Sequence, residues 1–260
     1  MLCDPRGGGG GEASRLRGVE ALLITTAVVW GGATGVLISR PAYRLSVPVG
    51  DPWRSQCPAG HAFVGVGAGW LGLARCAAGD RCGPSSLAIT AVTVGVCALL
   101  AATSGARPEL VVWLLLAPVC VLLAVVDASV HRLPDVLTLP LAAGTCVLLG
   151  GASLFPDAGG SWTSALLGLL VLGGCFFVLF LFSGGLGLGD VKLALVLGAV
   201  LGWYGWPILL IGVFAGYLFG ALYGIGLVMA HRAGRRSRIA FGPFLLAGAL
   251  AGVLLGSSMS

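Results

Sequence analysis

The stretch SGGLGLGDVKLALVLG, residues 183–198, holds one acid, Asp190, and one base, Lys192, among glycines and apolar side chains. Four glycines lead up to the acid and an apolar helix follows it. The chain on either side is just as apolar. Of 260 residues, 57% are hydrophobic and only 10% are charged, whereas a soluble domain carries about 25% charged residues. Apolar runs near the length of a bilayer core recur at 21–39, 86–104, 109–127, 135–153, 161–183, 190–203, 206–230 and 240–257. The expected fold is therefore all-α, a polytopic integral membrane bundle of about eight transmembrane helices. The sixth run is short, and the glycine segment before it could re-enter the membrane.

The domain boundaries follow from the same runs. Residues 1–18 (MLCDPRGGGGGEASRLRG) read as a disordered tail, 19–40 as a first transmembrane helix, 41–85 as a polar loop, and 86–260 as the membrane core. The first apolar run lacks a small-residue cleavage site and ends LISRPAYR, which suits a retained span rather than a signal peptide. Glycine is abundant, at 44 residues, as suits helices packed closely in lipid.

Positive charge sets the orientation. With spans alternating, one side carries Arg40, Arg44, Arg54, Arg75, Arg81, Arg132, Lys192, Arg232, Arg235, Arg236 and Arg238; the other carries Arg6, Arg15, Arg17 and Arg107. The richer side is expected to be cytoplasmic, with the N-terminus outside, although three arginines of the tail run against that rule. The net charge of +5 thus serves topology, and no nucleic-acid partner is expected.

This topology brings three acids to the inner face. Asp127 ends the third span, Asp135 opens the fourth and Asp190 opens the sixth, with Asp127 and Asp190 separated by 63 residues. A lone acid at a span end is most simply a cap in contact with headgroups. Two acids at matched depth with patterned flanks point instead to chemistry. Two carboxylates at a partly dry boundary cannot both ionise cheaply, so they tend to share one proton. That state suits aspartic proteolysis: the ionised member takes a proton from water while the protonated member polarises the carbonyl.

The flanking residues divide the roles. In VVDASVHRLPDVLTLP, residues 125–140, Pro134 and Asp135 make a good first helical turn, so Asp135 has a structural explanation and ranks as supporting. His131 sits in a loop beside Arg132, where solvation is its simplest state. Lys192 is placed to pair with a carboxylate or reach headgroups. GGLGLGDVK falls short of a phosphate loop, because Asp190 stands where lysine is required. Gly187 and Gly189 fit better as flexible backbone that lets a substrate strand approach the acid.

These two segments resemble the type IV prepilin peptidase family, polytopic aspartic proteases of pilus and type II secretion systems. The aspartate followed by ASVHR and LPDVLTLP, and the GLGD followed by VKLALVLGAVLGW, match its two aspartate motifs in order. IAFGPFLLAGAL, residues 239–250, is similar to its last-span motif; GGATGVLISRPAYRL and SQCPAGH are similar to its first span and first cysteine motif. The resemblance implies Asp127 and Asp190 as the catalytic pair. It implies prepilin-like substrates cut at the cytoplasmic face of the plasma (inner) membrane, with pilus or secretion machinery as partners. It also implies that proteolysis needs no cofactor, whereas N-methylation of the product would use S-adenosylmethionine.

The loop departs from the family pattern of two CxxC pairs. Gly60 stands where the second cysteine would fall, His61 follows, and the second pair has widened to Cys76 and Cys82. Cys57, His61, Cys76 and Cys82 remain a candidate zinc set of three cysteines and one histidine, against the alternative of reduced, neutral thiols. Because methylation is tied to this loop in the family, the departure bears on that activity and leaves the aspartate motifs untouched. Two other readings compete: a proton- or cation-coupled transporter, which predicts acids near the midplane and an inverted repeat, and an inactive scaffold of a pilus or secretion machine.

Overall fold

A computed structural model describes residues 9–48, 50–63, 65–76, 82–183, 187–230 and 240–259. The elements in order are α1 (Gly9–Leu45), α2 (Val66–Gly69), α3 (Ser86–Ser104), α4 (Glu109–Val130), α5 (Asp135–Ala152), α6 (Trp162–Ser183), α7 (Leu188–Trp203), α8 (Trp206–Met229) and α9 (Gly242–Met259). Among the described residues the only extended pairing is a single bridge between Gln56 and Ala62. Lipid offers the backbone no hydrogen bonds, so helices are the way an open chain this apolar can cross it. Every expected span is a helix, and apart from the first their ends lie within a few residues of those read from the sequence.

Two boundaries differ in ways that matter. The expected tail of 1–18 is helical from Gly9 onward, because Glu12, Ala13, Arg15, Leu16 and Arg17 favour helix and extend the span that follows; residues 1–8 lie outside the described residues. The third span does not stop at Asp127 but continues to Val130, so this acid sits one turn inside α4.

Among the described residues, seven helices are long and apolar enough to cross a membrane. They leave large apolar side chains uncovered, such as Leu170 and Phe182 on α6 and Leu210, Phe214 and Leu222 on α8. Water would penalise such a surface and acyl chains would not. The fold is a polytopic helical membrane bundle.

The exception is α7, whose 16 residues span about 24 Å against a hydrocarbon core of about 30 Å. It nevertheless runs the depth of the bundle. At one end the Ser161 N–H donates to the Trp203 carbonyl over 2.9 Å. At the other, Lys192 Nζ lies 2.6 Å from Asp135 Oδ1. Neighbours α5, α6, α8 and α9 surround it, and Leu193, Ala194, Val196, Ala199 and Leu201 are fully buried. A helix enclosed on all sides has no polar face, which is why the sequence shows none.

Glycine permits this enclosure. A Cβ on Gly198 of α7 would run into the Gly168 carbonyl of α6, and one on Gly248 of α9 would run into the backbone of Gly216 on α8. Gly174 faces open space. Gly198→Ala is therefore expected to destabilise the protein by about 1–3 kcal/mol, through overpacking. Gly174→Ala should leave stability unchanged or slightly raised, both read from thermal unfolding in detergent.

Candidate active site

The elements converge so that Asp127, Asp135, Gly187, Gly189, Asp190 and Lys192 gather at one end of the bundle. Antiparallel neighbours explain this: α4 arrives at that end while α5, α7 and α9 depart from it. The opposite end is closed by a separate polar group. There the buried Glu109 accepts from the Gly159 N–H at 3.1 Å, Trp113 Nε1 donates to the Tyr204 hydroxyl at 3.1 Å, and Arg107 donates to the Ser257 carbonyl at 2.9 Å. That acid is far from the others and is tied into the fold.

Asp127 lies close enough to Asp190 to feel its charge. Each is fixed by one backbone donor. The Gly242 N–H donates to Asp127 Oδ2 at 2.9 Å, and the Gly187 N–H donates to Asp190 Oδ2 at 3.1 Å. Asp127 is only 5% exposed, enclosed between α4 and the start of α9. Asp190 is half-buried at the third position of α7, where an acid reaching back to the first N–H stabilises the helix start. One oxygen of each carboxylate is thereby held, which fixes the pair's geometry.

The glycines have distinct tasks. A Cβ on Gly242 would stand 2.6 Å from Asp127 Oδ2, so only glycine lets this backbone reach the buried acid. A Cβ on Gly189 would stand 3.0 Å from the Leu133 Cβ, so this glycine seats the start of α7 against the loop after α4. Gly187 caps the start of α7 and supplies the N–H to Asp190. Gly184–Leu186 lie outside the described residues.

Asp135 is exposed in the first turn of α5 and forms an ion pair with Lys192, joining α5 to α7. His131 closes α4 in a left-handed conformation with φ 53°, its N–H donating to the Asp127 carbonyl at 2.8 Å. The imidazole is close enough for its charge to act on Asp127. Arg132 donates to the Pro48 carbonyl at 3.2 Å and ties this turn to the cysteine loop. The Gly242 donor was absent from the sequence reading. The FGP motif marked its place, but only folding shows that its backbone meets an acid 115 residues away.

An apolar cavity of about 260 Å³ opens beside the site between α3, α4, α7 and α9. Ala124, one turn before Asp127, and Pro243, next to Gly242, line its near end; Leu100 and Val253 line its far end.

The cysteine loop folds back on the end of α1. The Arg44 guanidinium donates to the carbonyls of Arg54 and Gly69 at 2.8 and 3.1 Å and lies 3.8 Å from the centre of the Trp70 ring. This brings Cys57, His61 and Cys76 together, with one ligand atom from each within 4.8 Å of the others. Cys57 Sγ lies 3.6 Å from His61 Nδ1. Burial opposes the Cys57 thiolate, yet the backbone N–H groups of His61 and Ala59, together with the side chains of His61 and Cys76, hold the thiol below its usual range. Cys82 is buried against Cys76 but stands outside the compact triad; burial, and then the charge of Cys76 and Cys57, pushes its thiol up.

A sequence model described as the type IV leader peptidase family matches residues 114–225, which include both aspartates and exclude the cysteine loop. A prepilin leader peptidase/N-methyltransferase of Aeromonas hydrophila is 34% identical over 239 residues, covering 86% of this chain and 77% of its own length. One from Aeromonas salmonicida strain A449 is 38% identical over 151 residues, covering 56% and 50%. One from Pseudomonas aeruginosa is 35% identical over 138 residues, covering 52% and 44%. The chain thus spans about half the length of the latter two relatives. No solved structure matches the chain. From the extent of the match to the Aeromonas hydrophila protein, with both aspartates inside the matched family segment, the chain belongs to the type IV leader peptidase family.

Proposed function

We propose that the protein is a membrane aspartic endopeptidase that removes the leader from type IV prepilin-like proteins, with Asp127 and Asp190 as the catalytic pair. One observation carries this reading: two carboxylates meet at one end of the bundle, each held by a single backbone N–H, with Asp127 within reach of the Asp190 charge. Such a pair holds one proton between them. The ionised carboxylate takes a proton from a water as its oxygen bonds to the peptide carbonyl carbon; the other gives its proton to the carbonyl oxygen. The tetrahedral species collapses, the C–N bond breaks, and the amine leaves with a proton returned by the pair.

The apolar cavity supports the substrate class. It begins at Ala124 and Pro243 beside Asp127, giving apolar residues next to the cut bond a place of matching chemistry. Arg40, Arg44, Arg54, Arg75 and Arg132 lie at the aspartate end, which supports a cytoplasmic active site in the inner membrane. The machinery served would be that of a pilus or a type II secretion system. A proton- or cation-coupled transporter is not favoured, since its acids would sit near mid-bilayer rather than at one end.

The loop triad fits a structural zinc site. Cys57, His61 and Cys76 converge, the Cys57 thiol is held low, and neighbouring thiols crowd one another in a way a divalent cation would relieve. The ion would staple the loop to the end of α1, and Cys82 is the nearest further thiol. Proteolysis by the aspartate pair needs no cofactor. Methylation of the product would require S-adenosylmethionine and stands apart from this proposal.

Co-expression with a prepilin-like substrate tests the pair. Asp127→Asn and Asp190→Asn should each lower cleavage at least about 10²-fold, the scale of general acid–base catalysis. Asp135→Asn should retain most of it. If both asparagine variants still process the substrate, the proposal fails. For the loop, purified wild-type protein should carry about one zinc per chain by elemental analysis, and Cys57→Ser should lose it together with thermal stability. Wild-type protein without zinc would contradict the metal site.

A further inference from the structure

Tyr217 belongs to none of the motifs that define the aspartate pair, yet the fold places it between the two halves of the site. It lies midway along α8, 11 residues after Trp206 and 12 before Met229. An aromatic residue that anchors a helix at the membrane surface sits near a helix end, so anchoring does not account for this position. Its ring packs on Phe241 at 4.9 Å between centroids and lies 6.3 Å from Phe176, which is almost fully buried on α6.

The surrounding backbone fixes that ring. Gly216 and Gly220, on either side of Tyr217, let the start of α9 press against α8: a Cβ at either would stand 3.1 Å from Leu245 or Phe241. Phe241 immediately precedes Gly242, whose N–H holds Asp127. The phenol of Tyr217 is within charge range of Asp190. The tyrosine is thus one ring contact from the donor of one aspartate and an electrostatic neighbour of the other. Tyr217 remains 40% exposed.

Both carboxylates already have a backbone donor, so the hydroxyl is not needed to hold either of them. The protonated carboxyl supplies one donor to the oxygen of the bond being cut, and that oxygen has a second lone pair for a further neutral donor. We propose that Tyr217 is a further catalytic residue: its hydroxyl donates a hydrogen bond to the scissile carbonyl oxygen and keeps it as that oxygen gains electron density. This role rests on the aspartate proposal above. The ring clamp of Phe176 and Phe241 makes the donor pre-organised, which is where such hydrogen bonds accelerate reactions most.

The test compares Tyr217→Phe, which keeps the ring and removes the hydroxyl, with wild type. Purified protein in detergent cleaves a prepilin-derived peptide, and kcat, KM and the thermal midpoint are measured. The expected result is a kcat lowered about 10²-fold, with KM and the midpoint unchanged. A wild-type kcat, a rise in KM alone, or a drop in kcat that only accompanies a lower midpoint would each overturn the proposal. Asp127→Asn run alongside separates the two claims. If it is inactive while Tyr217→Phe is normal, only the tyrosine role falls; if it is active, both fall.

Discussion

The hydrogen bond from the Gly242 N–H to the Asp127 carboxylate, 2.9 Å long and bridging 115 residues, is the contact on which the site depends. It joins the end of α4 to the start of the last helix and keeps one oxygen of a buried acid supplied with a donor. A buried carboxylate without a partner is costly, and the charge of Asp190 nearby makes it more so. The bond therefore serves stability and chemistry at once. It also explains a glycine: a Cβ at this position would stand 2.6 Å from the acid.

The second constraint is the shortness of α7. A 16-residue helix that still reaches both ends of the bundle has to be enclosed by protein. Gly168 and Gly198 allow α6 to come close enough to do so. Enclosure then carries Asp190 away from open lipid and into the company of Asp127, while the Lys192–Asp135 ion pair fastens the same turn to α5. The two acids meet because of packing along the whole length of α7, not because of anything local to their motifs.

Much of this was legible in the sequence. Apolar runs gave every long helix, and alternation of the spans predicted that Asp127, Asp135 and Asp190 share one end. The pairing of Asp135 with Lys192 was within reach of charge and position. The helical start of α1 at Gly9 was not, because glycine and charge in residues 1–18 read as a tail while the span behind them extends the helix. The Gly242 donor and the placement of Tyr217 were not legible either. Both arise from contacts between distant segments, and a backbone N–H leaves no trace in side-chain identity. In the loop, spacing suggested four ligands; folding draws Cys57, His61 and Cys76 into a compact triad and leaves Cys82 beside it.

The central claim is that Asp127 and Asp190 act as one titrating unit that activates water. The most direct measurement is the pH dependence of kcat/KM for leader cleavage by purified protein in detergent. The account predicts a bell whose two limbs belong to the pair, each limb lost or displaced when one aspartate becomes asparagine. A rate that stays flat through the carboxylate range, or a bell unaltered in Asp190→Asn, would contradict it.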